Sequence, residues 1–301
     1  MDGKIDLITG VKPAEEPVAR PVERANNIGQ FIGEAMSDDQ KINALMSSSK
    51  PEITVLVGFV GYGKTSFVSS FYQTLLQKED IAGYSFYDSE TLVGLERRSF
   101  LRRLNDRNIE IAPDTKRTVL GEPYLLTFHL NHLLYGDKLV VISDHSGEDY
   151  ADYAAKKGKI ADDILIKNAD RIMFFVDSEK LCNEQRLSLT TQYKQLLRNM
   201  KENRLFVRKT KLQMVFNKID KVVDKNKFVK EKAKLIANFE DIINLKIGQT
   251  FDICANSLNN NDKLINLFED IILHTVEETL SRSQVSSLDW VNKMINKKKL
   301  L

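Results

Sequence analysis

Gly58-Phe59-Val60-Gly61-Tyr62-Gly63-Lys64-Thr65 carries the spacing G-x-x-x-x-G-K-T, a pattern suited to gripping phosphate. Glycines let the backbone curl until successive N–H groups face one centre, a cradle for phosphate oxygens. A helix beginning near Lys64 aims its positive dipole end at the same centre. In that arrangement Lys64 reaches the outer phosphates and the Thr65 hydroxyl holds Mg²⁺. Gly58, Val60, Gly61, Tyr62, Gly63, Lys64, Thr65 and Ser66 are therefore expected to line a nucleotide. A plain glycine-rich turn is the alternative, but the apolar run "ITVLVG" before the loop and the amphipathic stretch after it supply the required strand, loop and helix.

Three further clusters follow in order. "LVVISDHSGED" runs an apolar strand into Asp144-His145-Ser146-Gly147, which fits D-x-x-G. An acidic residue at a neighbouring strand end would share the Mg²⁺ with Thr65, and Gly147 could offer its N–H to a γ-phosphate. "MVFNKIDK" places Asn217-Lys218-Ile219-Asp220 at another strand end. The Asp220 carboxylate can accept from the N1–H and 2-amino groups of guanine, a donor pair that adenine lacks. A buried carboxylate left unpaired by the wrong base penalises that base. The Lys218 stem can lie along the ring, and Asn217 can tie this loop to the glycine loop. "ICANS" puts Cys254, Ala255 and Asn256 where a small-residue loop could present N–H groups to the guanine oxygen, although an ordinary strand end explains these residues almost as well.

These clusters need a scaffold of strands ending on one edge. Short apolar runs at 53–58, 82–87, 124–130, 138–144, 171–177, 212–217 and 250–255 predict strands. Amphipathic stretches at 64–78, 92–105, 149–168, 181–201, 226–244 and 261–281 predict helices. Their alternation predicts an α/β fold with a mostly parallel sheet. Residues 1–50, with Pro13, Pro17 and Pro21, read as a partly irregular arm with a short helix near 28–36, and 51–282 read as the main domain. The segment 283–301 reads as a C-terminal helix with Leu288, Val291 and Ile295 on one face.

Lys and Arg number 44 against 42 Asp and Glu, a net charge of +2, so nothing in the balance calls for nucleic acid. Cys182 and Cys254 are far apart and lack metal-ligand spacing. A reduced, cytoplasmic setting is expected, with no transmembrane segment.

In their order, the four clusters resemble the translation-factor-related (TRAFAC) class of P-loop GTPases over residues 53–257. "DSETLVGLERRSF", "DHSGEDY" and "ADRIMFFVDSEKL" resemble, more narrowly, the bacterial double-GTPase group. The resemblance implies a three-layer P-loop NTPase sandwich of GTPase topology. It also implies binding of GTP and GDP with Mg²⁺, hydrolysis of GTP, and service beside a protein partner in bacterial conflict or antiviral defence. The small-residue loop of related folds usually has lysine where Asn256 stands.

The chain departs from a minimal GTPase in its long stretch between Thr65 and Glu122, an insertion at about 79–117. "LERRSFLRRLNDRN" sets Arg98 and Arg102 four apart, on one face of a helix: either a solvated face or a docking surface for an acidic protein partner. The C-terminal helix is the other candidate surface. The switch threonine that closes over Mg²⁺ is expected to be Thr118 or Thr115, with Thr91 third. Arg117 adjoins the first two and could supply an arginine finger in cis, although a lone surface arginine is the commoner case. Glu148 stands where a residue would orient the attacking water, and its charge would repel the phosphate, so hydrolysis is expected to be slow. A scaffold subunit that binds GTP with little hydrolysis is the second reading. An ATPase or kinase is the third, and it requires Asp220 to miss the base.

Overall fold

The computed structural model describes residues 35, 36, 45, 51–105, 125–206, 210–255 and 262–282. All of them fall within one compact unit, Phe31–Leu301. The expected C-terminal helix at 283–301, nearly all of the arm, and Thr115, Arg117, Thr118, Glu122 and Asn256 lie outside the described residues.

The sheet begins with β1 (Glu52–Val57), every residue of which is buried. A strand covered on both faces has no place for alternation, which is why "ITVLV" reads as a continuous apolar run. Then come β2 (Tyr84–Asp88), β3 (Leu125–His132), β4 (Gly136–Ser143), β5 (Arg171–Asp177), β6 (Lys211–Asn217) and β7 (Gln249–Asp252). They form one seven-stranded sheet in the order β2-β3-β4-β1-β5-β6-β7. β4, β1, β5, β6 and β7 are parallel; β3 runs antiparallel to both β4 and β2. The β3–β4 hairpin turns over residues 133–135 into Gly136, whose φ of 76° favours glycine. Met36 adds a backbone bridge to Leu125 at the head of β3.

The helices are α1 (Lys64–Gln77), α2 (Leu92–Asn105), α3 (Gly147–Ala155), α4 (Ile164–Lys167), α5 (Ser178–Cys182), α6 (Arg186–Glu202), α7 (Lys225–Ile243) and α8 (Asp262–Arg282). Successive residues of a strand face opposite ways. On β5, Phe175 meets Phe67 of α1, and Phe67 in turn meets Phe268 of α8. Its neighbour Phe174 meets Phe239 of α7, which also touches Tyr193 of α6. The sheet is therefore sandwiched between α1 with α8 on one face and α6 with α7 on the other, an α/β three-layer fold.

Two expected helices are each broken. The stretch 149–168 divides because the chain turns at Gly158 and Asp163 then caps α4, accepting from the Ile166 N–H at 3.0 Å. The stretch 181–201 divides because Asp177 caps the short α5 through the Lys180 N–H, and the Asn183 side chain turns the chain by accepting from the Gln185 N–H.

At the opposite edge, where the parallel strands begin, Arg171 is fully buried and bonds Gln213, Asp270 and Glu52; Lys138 pairs with Glu52 and Lys211 with Asp270. This network fastens α8 to four strands. The other edge is left to the loops.

Candidate functional site

Because β1, β4, β5, β6 and β7 are parallel, the residues that follow them all emerge on one edge of the sheet, where open α/β sheets bind ligands. β1 delivers Gly58, β4 delivers Asp144, β6 ends at Asn217, and β7 leads to Cys254 and Ala255.

The loop after β1 turns through Gly61 at φ 79° and Gly63 at φ 87°, and α1 starts at the next residue, Lys64. A Cβ on Gly63 would stand 2.0 Å from Asn217 Nδ2, so both the backbone angle and the neighbour require glycine there. Tyr62 packs edge-on to Phe59, and both rings contact Tyr193. Val60 is more exposed, at 36%. The first turn of α1 offers its backbone N–H groups to the same side as the loop.

Lys64 is buried and its ammonium donates to the Gly58 carbonyl at 2.5 Å, with the Phe59 carbonyl at 3.5 Å and the Tyr150 ring 5.5 Å away. Burial pulls its pKa down to about 8, against the opposing pull of Asp144 and Asp149. Such an ammonium gains from an anion brought within reach.

Thr65 Oγ1 donates to Asp144 Oδ1 at 3.0 Å. Asp144 is fully buried, and its Oδ2 accepts from Arg98 Nε at 3.2 Å. A hydroxyl and a carboxylate are hard oxygen donors, the kind that Mg²⁺ takes alongside water and phosphate. This donor set fits such an ion; Thr65 and Asp144 would hold it, and bound there it would neutralise phosphate charge.

Gly147 opens α3 immediately against the glycine loop: a Cβ there would stand 2.2 Å from the Val60 nitrogen. Ser146 and Asp149 close a reciprocal cap around this turn, Ser146 Oγ accepting from the Glu148 N–H and Asp149 from the Ser146 N–H. Glu148 is half-buried in the first turn of α3. His145 is held by its neighbours, with its Nδ1 on the Ser143 hydroxyl and its Nε2 2.9 Å from Asp163 Oδ2.

Asn217 links the remaining loops. Its Nδ2 donates to the Tyr62 carbonyl at 3.0 Å and its Oδ1 accepts from the Ala255 N–H at 2.9 Å. The Ser70 hydroxyl of α1 also reaches the Ala255 carbonyl. Lys218, at φ 61°, turns the chain so that Ile219–Lys221 form a single 3-10 turn carrying the exposed Asp220. The Lys218 ammonium bonds Asp177 Oδ2 at 2.6 Å, which anchors the end of its side chain. Cys254 is half-buried beside the buried Ala255.

Thr91 is buried at the entry to α2, where its hydroxyl accepts from the Thr127 N–H at 2.9 Å. It fastens α2 to β3. Two residues of this site escaped sequence reading: Asp177, visible only as the strand-end acid in "FFVD", and Arg98 as the partner of Asp144, for which the sequence carries no signal.

A family model described as Double-GTPase 2 matches residues 53–271. No curated protein matches the chain. Among solved structures, the chain is similar to the bacterial selenocysteine-specific elongation factor EF-Sec, with 14% identity and a TM-score of 0.39, over 76% of this chain and 29% of that one. It is also similar to the GTPase-like domain of Ski7 from S. cerevisiae. The form bound to GDP and inorganic phosphate gives 10% identity and a TM-score of 0.42, over 78% of this chain and 52% of that one. The GTP-bound form gives 11% identity and 0.42, over 78% and 53%. The chain thus spans about half or less of the length of these structures.

Proposed function

Since the chain belongs to the Double-GTPase 2 family, we propose that it is a guanine-nucleotide switch that binds GTP with Mg²⁺ and hydrolyses it slowly to GDP. One observation carries this reading: a single buried amide, Asn217, joins the glycine loop to the two loops proposed to hold the base. Lys64, Thr65 and the loop 58–63 are assigned to the phosphates, with Ser66 beside them. Asp220 reads the base, Lys218 lies along it, and the 254–256 loop presents its N–H groups. Thr65 and Asp144 hold the metal, joined by a switch threonine, Thr118 or Thr115.

Slow turnover is supported by the local chemistry. Glu148 brings negative charge toward a negative phosphate, and Val60 stands where a smaller residue would better admit an incoming group. Arg117 is assigned as the cis arginine that offsets transition-state charge. Control of a protein partner through 79–117 or the C-terminal helix, in a bacterial conflict or defence setting in the cytoplasm and without nucleic acid, completes the proposal. Among the described residues no helix is long and apolar enough to cross a membrane.

Multiple-turnover phosphate release tests it. The expected rate is below about one turnover per second for the chain alone, falling by orders of magnitude in Arg117→Ala with little change in affinity. Turnover many times faster overturns the slow-switch reading; none at all favours a GTP-binding scaffold. Displacement of a fluorescent guanine analogue by GTP but not ATP excludes the ATPase or kinase reading.

A further inference from the structure

Arg98 lies on α2, in the insertion, with the metal-proposed carboxylate as its partner. Its Nε donates to Asp144 Oδ2 at 3.2 Å, and its Nη1 holds the Gly94 carbonyl at 3.2 Å. The other oxygen of Asp144 accepts from Thr65. The carboxylate assigned to a divalent cation is thus shared between its proposed co-ligand and a cation that the chain itself supplies. Arg98 is 8% exposed and Asp144 fully buried. Burying such a pair costs desolvation that well-packed apolar side chains of similar volume do not incur. The neighbours of Arg98 on the inner face of α2, Leu95 and Ser99, are fully buried, so an apolar residue at 98 would serve packing as well.

We infer that Arg98 is a positioning residue that competes with Mg²⁺ for Asp144, so that metal entry loosens α2. The inference rests on the guanine-nucleotide reading above. A divalent cation beside Thr65 on Asp144 Oδ1 and the Arg98 guanidinium on Oδ2 would repel each other across one buried carboxylate. When the ion takes Asp144, Arg98 gives it up and one inner anchor of α2 is lost. Other ties of this helix include Ser69 Oγ donating to the Arg98 carbonyl at 3.1 Å, the Tyr72 hydroxyl bonding Glu96 at 2.5 Å, and Thr91 at its entry accepting from the Thr127 N–H. The outer face of α2 carries Leu92, Val93 and Phe100, all exposed, so the state of the metal site is relayed to a surface. Linkage makes this reciprocal: a partner that draws α2 away from α1 tightens metal binding.

The test uses the full chain loaded with a fluorescent GDP analogue, whose release is followed while free Mg²⁺ is varied. For Arg98→Gln the Mg²⁺ concentration that half-suppresses release should fall by about tenfold, because the competitor is gone. Arg98→Lys, which keeps a cation, should stay within about twofold of the parent chain. A Gln variant with equal or weaker response to Mg²⁺ overturns the inference and makes the pair a structural pin; so does a Lys variant that shifts as far as Gln. Should the Gln variant not fold, hydrogen exchange of the α2 amides in the unaltered chain decides. With GDP bound they should exchange faster in Mg²⁺ than in chelator, and equal rates overturn the inference. A chain that binds no guanine nucleotide removes the parent reading as well, whereas nucleotide binding with an unaltered Mg²⁺ response removes this inference alone.

Discussion

Asn217 Nδ2 donates to the Tyr62 carbonyl, 155 residues away in sequence, while the other end of the same amide accepts from Ala255. The loops after β1, β6 and β7 are therefore joined through one side chain.

Asn217→Ala leaves a buried carbonyl and a buried N–H without their partner. We expect a loss of about 2 kcal/mol in stability and weaker GDP binding. Urea unfolding measures the first and calorimetry the second. An unchanged midpoint would mean that the loops are held together by other contacts.

Gly63 and Gly61 share a left-handed backbone but differ in surroundings: a Cβ at 63 meets Asn217 Nδ2 at 2.0 Å, whereas nothing lies within 4 Å at 61. Gly61→Ala should cost only the conformational penalty, about 1–2 kcal/mol. Gly63→Ala adds displacement of the Asn217 amide and should lose more stability and most nucleotide affinity. Equal losses would show that the backbone angle alone matters.

Lys64 has its pKa drawn down to about 8 by burial, from an ordinary 10.5. Without ligand it sheds its proton as pH rises through about 8; beside a phosphate it keeps it. Binding should therefore take up close to one proton at pH 9 and almost none at pH 7, and affinity should fall above pH 8 by at most about tenfold per unit. The unfolded chain binds more protons between pH 8 and 10.5, so this lysine makes the unliganded fold gain stability across that window and weighs against it below. Calorimetry in buffers of different ionisation heat reads the proton directly; no uptake at pH 9 would falsify the assignment of Lys64 to phosphate.

Asp220→Asn replaces an acceptor by an amide donor. GTP affinity should drop by about a hundredfold and xanthosine triphosphate should gain. The same variant binding GTP as before would move the base elsewhere.

Much of this was legible before any coordinates. All seven strands lie within a few residues of the apolar runs that predicted them, and β5 coincides with 171–177. Buried parallel strands announce themselves through unbroken apolar stretches, and the glycine loop through a spacing that backbone geometry imposes. The helix 92–105 was legible as well, because its periodicity is local. The breaks in 149–168 and 181–201 were not. There, side chains such as Asp163 and Asp177 divert the backbone into caps, a competition that periodicity does not register.

The sequence by itself determined that the residues proposed to grip phosphate and read the base stand at strand ends, since strand, loop and helix signals are written within a dozen neighbouring positions. Only the tertiary structure decided which charges face one another there. Lys218 meets Asp177 across 41 residues and Arg98 meets Asp144 across 46. Those meetings are set by the order of strands in the sheet and the packing of α2 on α1. A one-dimensional pattern shows that an arginine lies on a helix face; the burial of that face against a carboxylate belongs to the fold.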